Sequence, residues 1–266
     1  MPTALITGAS SGLGEQFAYA LGREHYNLVL TARREDRLAA VAGRARTAGA
    51  GTVRVIGADL AARETPARLY QQLNGDGVHI DYLVNNAGFG TTGKFQSLAL
   101  ERELEEIDLN VTSLVAMSRL FLPAMLERKQ GTIINVASTA AFQATPYMAT
   151  YGATKAFVLS FSEALAAELS GSGVTVMALC PGPVRTEFQK TAQIERMRLP
   201  SFVWTEAERV VNDGIAAAAS GHSVHVAGVF NSAMVLASKF TPRALTTFIS
   251  AAVMRPPTVK RSSGRD

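Results

Sequence analysis

Seven short apolar runs punctuate this chain: Thr3–Thr7, Asn27–Ala32, Thr52–Ala58, Ile80–Asn85, Thr132–Ala137, Val174–Leu179 and Ser223–Ala227. Longer amphipathic stretches lie between them: Gly12–Glu24, Glu35–Ala48, Ala62–Leu73, Leu98–Arg128, Thr150–Ser170 and Glu206–Ala219. In Glu35–Ala48, for example, Leu38, Val41, Ala42 and Ala45 share one helical face. A run that is apolar throughout, rather than alternating, reads as a strand buried on both sides, the habit of parallel sheets. Parallel neighbours need crossovers, so this alternation implies right-handed βαβ units in a doubly wound, Rossmann-type α/β sheet of about seven strands. The long Leu98–Arg128 helix is expected to distort near Pro123. No linker rich in Pro, Gly or Ser divides the chain, and no repeat is present, which predicts one domain. Residues 1–228 form its body, including an irregular loop over 181–205, and residues 229–266 form a helical extension and basic tail.

The totals exclude several classes. The chain has 266 residues, 47% apolar and 18% charged, which is globular rather than disordered composition. Formal net charge is +4, but Arg255, Lys260, Arg261 and Arg265 cluster at the end against Asp266 alone. The body is therefore near neutral and lacks the basic stripe of a nucleic-acid binder. The single cysteine, Cys180, forms no internal disulfide and fits a reducing, cytoplasmic setting. Gly8 and Gly12 break the first apolar run too early for a signal peptide, and no uncharged stretch of membrane-spanning length is expected. The four histidines show no metal-ligand spacing, so no metal is expected.

The first strand runs into Thr7-Gly8-Ala9-Ser10-Ser11-Gly12-Leu13-Gly14, which opens a helix. Here Gly8 allows a tight turn, Gly12 lets the backbone approach a pyrophosphate, and Gly14 lets helix and strand pack closely. The helix N-terminus adds free N–H groups and partial positive charge. A glycine trio alone is weak evidence; a strand before it and a helix after it supply the context that counts. At the end of the second strand, a carboxylate would hydrogen-bond an adenosine ribose and favour NAD. Thr31-Ala32-Arg33-Arg34 stands there instead. A guanidinium grips a 2′-phosphate, so NADP(H) is the expected cofactor, with Arg33 as the reader and Arg34 as the alternative.

Tyr151 and Lys155 lie four residues apart and share a helix face. A phenol ionises near pH ~10, and a neighbouring ammonium lowers that value enough for proton exchange. The bare spacing is common, and its setting gives it weight. Ser138 follows the strand Thr132–Ala137, Asn85-Asn86-Ala87-Gly88 ends the fourth strand, and Asn110 sits mid-helix. Gly8, Arg33, Asp59, Asn85, Ser138 and Pro181 all fall at predicted strand ends, the edge where such sheets bind ligands.

Together these residues resemble the short-chain dehydrogenase/reductase superfamily in its compact, NADP-preferring form, over Thr3 to about Ala227. Among its members, the chain looks closest to bacterial reductases akin to long-chain ketoacyl and hydroxysteroid reductases. The resemblance implies that Tyr151 exchanges a proton with the substrate oxygen, that Lys155 lowers the tyrosine pKa, and that Ser138 holds that oxygen. It implies that Asn110 fixes a relay water behind Lys155. It assigns the cofactor to Gly8, Ser10, Ser11, Gly12, Leu13, Gly14, Arg33, Asp59, Leu60, Asn85, Ala87, Gly88, Tyr151, Lys155, Pro181, Gly182, Val184 and Thr186. Asp59 could equally cap a helix.

Phe89, Phe95, Phe142, Tyr147, Met148, Phe188, Phe202 and Trp204 fall near strand-end loops and are expected to line an apolar pocket, with Ser138, Phe142, Tyr151 and Phe188 touching substrate. The expected substrate is an apolar ketone, aldehyde or alcohol. Helices holding Tyr151 and Asn110 commonly form two-fold interfaces in this superfamily, which implies a homodimer or homotetramer. Val229–Ser238 and Ala244–Met254 read as a packed helical extension, with pocket cap, subunit interface and membrane surface as other uses. A non-catalytic dinucleotide-binding regulator is the competing function; Ser138, Tyr151, Lys155 and Asn110 argue against it, since a sensor needs no proton relay. A nucleotide-sugar epimerase would have a different glycine spacing and a larger substrate domain.

Overall fold

The computed structural model describes residues 1–192 and 203–255. Its strands are β1 (Thr3–Thr7), β2 (Asn27–Ala32), β3 (Val53–Gly57), β4 (Tyr82–Asn85), β5 (Gly131–Val136), β6 (Val174–Pro181) and β7 (Val224–Ala227). They form one parallel sheet in the order β3-β2-β1-β4-β5-β6-β7. The order reverses between β1 and β4, and a crevice opens at the carboxyl edge there. The helices are α1 (Gly12–Arg23), α2 (Glu35–Ala48), α3 (Thr65–Gly75), α4 (Leu100–Ile107), α5 (Ser113–Arg128), α6 (Ala149–Glu168), the single turn α7 (Phe188–Thr191), α8 (Ala207–Ala219), α9 (Val229–Phe240) and α10 (Arg243–Met254).

Strand side chains alternate between two apolar layers, as the two-residue repeat of a strand requires. Ile6, Leu28, Leu30 and Ile134 meet Phe17 and Leu21 of α1, Leu38 of α2 and Val210 of α8. On the other face Leu5, Val29, Leu83 and Ile133 meet Leu73 of α3 and Met117, Phe121 and Met125 of α5. A smaller cluster seats Val158 and Leu159 of α6 against Ala178 and Cys180. Cys180 is a fully buried free thiol.

The expected single helix over 98–128 is interrupted, and not at Pro123. The break is a π-turn over Asp108–Thr112 with Asn110 at its centre, while Pro123 lies within continuous α5. An extra residue inserted into the i→i−4 ladder widens the turn and re-aims the side chains, a device common at functional sites. The run Leu100–Arg128 is also long enough, and an 18-residue window in it apolar enough (mean hydropathy 1.4), to cross a membrane. Arg119 interrupts it, so its longest uncharged piece, residues 109–118, is too short to span, as expected. In the fold α5 buries its apolar face against the sheet.

Candidate active site

A cleft of about 880 Å³ opens along the carboxyl edge of the sheet. Gly8, Ser10, Ser11, Gly12 and Leu13 form one wall. Gly14 lies beneath it: a Cβ there would stand 2.4 Å from the Gly8 carbonyl oxygen and 2.6 Å from Asn86 Nδ2. Its part is close packing, as expected, rather than lining the cleft. Gly12 adopts φ +61°, and a Cβ on it would meet Thr186 at 3.3 Å, so the loop after β6 crosses directly over the turn. The turn is tied to β4 by Asn86, whose Nδ2 donates to the carbonyls of Thr7 (3.0 Å) and Gly8 (3.2 Å). Thr7 Oγ1 in turn accepts from the backbone N–H groups of Asn86 and Ala87 at 2.9 Å each.

Ala87 and Gly88 line the cleft beside Asn86, but Asn85 does not. This corrects the assignment of Asn85 to the cofactor. Strand alternation sends its side chain into the core, where Nδ2 donates to Ser118 Oγ (3.0 Å) and Asn135 Oδ1 (2.9 Å). Asp59 and Leu60 line the cleft at the end of β3. Asp59 Oδ1 accepts from the Ala61 amide at 3.1 Å, so it caps a local turn and not α3, whose N-cap is Glu64.

Both candidate cations reach the cleft. Arg33 Nη1 pairs with Glu105 at 3.1 Å. Arg34 stands nearer the glycine turn, donating to Ser10 Oγ (3.2 Å) and Ser11 Oγ (2.9 Å) and pairing with Glu187 at 2.9 Å. The Arg34 hydrogen bond, aided by the charges of Arg34 and Arg37, holds the Glu187 carboxyl below its usual range. A turn built on Gly8 and Gly12, a helix N-terminus behind it and two guanidiniums with no carboxylate at the β2 end fit the phosphates of a dinucleotide.

Opposite lies the chemical group. Ser138 caps the short turn Thr139–Phe142, accepting from the Ala140 amide at 3.1 Å, and its side chain also hydrogen-bonds Tyr151. Burial pushes the Tyr151 phenol up to about 12; the Ser138 hydrogen bond opposes the rise, and the nearby charge of Glu106 adds to it. The expected lowering by Lys155 is not what this structure shows, because desolvation prevails. Lys155 is buried, its Nζ donates to the Val136 carbonyl at 2.7 Å, and it lies 5.8 Å from the Tyr151 ring centroid. Burial pulls its ammonium down to about 8, opposed by Glu106 and Cys180. Cys180 is itself pushed up to about 12, mainly by burial, which suits a packing residue better than a nucleophile.

The Asn110 side chain, expected to hold a relay water, is engaged by protein. Its Oδ1 accepts from the Phe89 amide (3.1 Å), and Nδ2 donates to the Phe89 carbonyl (2.9 Å) and Thr154 Oγ1 (3.1 Å). Pro181, Gly182, Val184 and Thr186 line the cleft.

Phe142, Met148, Phe188 and Trp204 line the cleft with Phe89. The Phe188 and Tyr151 rings lie 5.3 Å apart. Phe95 is 66% exposed outside the cleft, and Tyr147 accepts from Arg255 at 3.4 Å instead of lining it; both depart from expectation. Phe202 and residues 256–266 lie outside the described residues. Phe230, Met234 and Val235 of α9 and Ile249 and Val253 of α10 also line the cleft.

Two buried carboxyls lie on α4 outside the cleft lining, and no motif signalled them. Glu103 and Glu106 of α4 are 5% and 0% exposed, while the apolar stripe Leu100, Leu104 and Ile107 on the same helix faces out. The helix is turned inside out relative to its hydrophobic pattern.

Residues 2–196 match the family model described as short chain dehydrogenase. An uncharacterized oxidoreductase of Myxococcus xanthus is 38% identical over 189 residues, 71% of this chain and 74% of that protein. An 11-beta-hydroxysteroid dehydrogenase of Pinus massoniana is also 38% identical, over 70% of this chain, but the match spans only about half (52%) of its length. The solved structure of a short-chain dehydrogenase from Sphingobium yanoikuyae in complex with NADPH superposes with a TM-score of 0.82 at 32% identity, covering 98% of this chain and 100% of that one. The chain belongs to the short-chain dehydrogenase family of oxidoreductases.

Proposed function

We propose that the protein moves hydride between NADP(H) and an apolar ketone or aldehyde, or the matching secondary alcohol, with Tyr151 as general acid and base. One continuity carries this reading: the cleft begins at the glycine turn, passes Ser138 and Tyr151, and ends among the apolar side chains of α9 and α10. When bound, the nicotinamide supplies or accepts the hydride. Gly8, Ser10, Ser11, Gly12 and Leu13 would hold the pyrophosphate, Asp59 and Leu60 the adenine, and Pro181, Gly182, Val184 and Thr186 the carboxamide. Arg33 and Arg34 at the β2 end favour a 2′-phosphate, and the NADPH bound by the Sphingobium relative agrees.

Ser138 orients the substrate oxygen and stabilises the phenolate when Tyr151 gives up its proton. Lys155 restores that proton from behind, and Asn110 fixes the Phe89 backbone at the cleft wall. The apolar far wall selects a hydrophobic substrate, in keeping with the steroid named for the pine relative. We read the exposed stripe of α4 and the exposed Phe157 of α6 as a subunit interface of a homodimer or homotetramer; sedimentation equilibrium showing only monomer at micromolar concentration contradicts it. The function is tested by a panel of ketones and aldehydes screened by NADPH oxidation and repeated with NADH. Turnover of bulky apolar carbonyls with NADPH supports the reading, and a preference for NADH contradicts the cofactor assignment.

A further inference from the structure

Helices α9 and α10 carry their amphipathic pattern reversed. A surface helix normally turns its apolar stripe to the core and its polar face to water. Here Val229, Leu236 and Phe240 of α9 and Leu245 and Phe248 of α10 are exposed, with Val229, Phe240 and Phe248 at 82%, 84% and 73%. The positions turned inward include Asn231 and Ser250, both buried. In α9 the exposed residues Val229, Ala233, Leu236 and Phe240 recur at intervals of four, three and four, so they form one stripe along the helix. Single exposed apolar residues are ordinary, but a whole stripe marks a surface that something apolar covers.

The same helices line the cleft, through Phe230 and Met234 of α9 and Ile249 and Val253 of α10. Each wall residue has a close neighbour on the outward side: Val229 precedes Phe230, Leu236 follows Met234 by two, and Phe248 precedes Ile249. The apolar wall of the cleft and the apolar outer surface are thus adjoining faces of the same two helices.

Charge decides what covers that surface. The sequence from Val229 to Arg265 contains no Asp or Glu. Exposed Lys239 and Arg243 flank the turn between the helices, and exposed Arg255 follows α10. Lys260, Arg261 and Arg265 come later in the sequence, against Asp266 alone. An apolar stripe edged by cations matches the surface of an anionic bilayer, where aromatic rings enter the acyl boundary and cations meet the lipid phosphates. A second copy of this chain matches less well, because a two-fold contact sets each cation-edged face against itself. Each helix has 12 residues, too few to span a bilayer, so the pair lies in its surface.

We propose that α9 and α10 form a docking surface for an anionic lipid bilayer, which sets the apolar end of the cleft against the membrane and lets a lipid-dissolved carbonyl enter from it. The docking stands on the two helices alone; the cargo rests on the reading of the cleft as an apolar-carbonyl site.

The test floats the full chain with vesicles of phosphatidylcholine and phosphatidylglycerol in equal parts, and with vesicles of phosphatidylcholine alone, at low and high salt. Two double variants accompany it: Phe240→Ser with Phe248→Ser, and Lys239→Glu with Arg243→Glu. All four side chains are exposed and none lines the cleft, so NADPH-dependent turnover of a small water-soluble ketone should stay within about twofold of wild type. Wild type should bind the anionic vesicles, and at least ~10-fold more weakly at high salt or on phosphatidylcholine alone. Either double variant should bind the anionic vesicles at least ~10-fold more weakly than wild type. A ketone dissolved in those vesicles should be reduced at least ~10-fold faster by wild type than by the serine variant, and equal rates overturn the delivery. Wild type that stays off the vesicles at low salt, or binds no better than the serine variant, overturns the docking. So does sedimentation that shows wild type forming a larger oligomer than the serine variant without binding vesicles, since a second copy then covers the face. The two readings fail separately. Vesicle binding with no turnover of any carbonyl overturns the reductase reading and leaves the docking, and turnover of the soluble ketone with no vesicle binding overturns the docking alone.

Discussion

Asn110 clamps the peptide backbone of Phe89 from both sides, accepting from its amide at 3.1 Å and donating to its carbonyl at 2.9 Å. The π-turn at Asp108–Thr112 aims the amide at this target. Asn110→Leu would leave a buried donor and a buried acceptor unpaired. Each costs about 1–3 kcal/mol, so urea unfolding should show a loss of roughly 2–6 kcal/mol. A variant within about 0.5 kcal/mol of wild type would show that the clamp is slack.

Two glycine-to-alanine changes should act oppositely. Gly14→Ala places a Cβ 2.4 Å from the Gly8 carbonyl oxygen, so α1 must move away from the turn. Thermal stability should fall and NADPH affinity should drop at least ~10-fold, because the turn and helix N-terminus act as one unit. Gly43 of α2 faces open space, with nothing within 4 Å of the point a methyl would occupy. Gly43→Ala should therefore stabilise by about 0.5–1 kcal/mol through helix propensity alone.

Cofactor choice should follow the arginines. Loss of a charged hydrogen bond to phosphate costs about 1.5–3 kcal/mol. Arg33→Ala should therefore raise KM for NADPH roughly 10- to 100-fold and leave KM for NADH nearly unchanged. Arg34→Ala should do the same if it is the primary reader, and the pair of titrations ranks the two.

Stability should respond to pH through Glu106. Its carboxyl is raised from 4.5 to about 7 in the folded chain. Between these values the folded state binds the extra proton, so stability falls as pH rises from about 4.5 to 7. Glu106→Gln removes that loss. It should be more stable than wild type by roughly 1–3 kcal/mol at pH ~8 and closely matched at pH ~4.5. Equal stability at both pH values contradicts a buried, raised carboxyl.

The sheet was legible because its signal is long-range and redundant: seven apolar runs, the inner ones buried on both faces. The residues at strand ends were legible for the same reason, since parallel strands place their carboxyl ends on one edge. Finer choices were not. Asn85 and Asn86 are chemically alike, and only strand alternation decides which faces the cleft. Pro123 stands out as the obvious break in the long helix, but proline marks only one way to distort a helix, and a π-turn leaves no single-residue signature. Glu103 and Glu106 were hidden because they lie on the face of α4 opposite its leucines, where an amphipathic pattern predicts solvent. The pKa relation between Tyr151 and Lys155 depends on burial, which spacing alone does not report.

The central claim is that Tyr151 transfers the proton. Tyr151→Phe removes one hydroxyl and keeps the ring against Phe188, so NADPH binding measured by fluorescence titration should stay within about threefold of wild type. NADPH-dependent turnover of the best carbonyl in the panel should fall by at least ~10²-fold. Turnover unchanged in Tyr151→Phe would contradict the account.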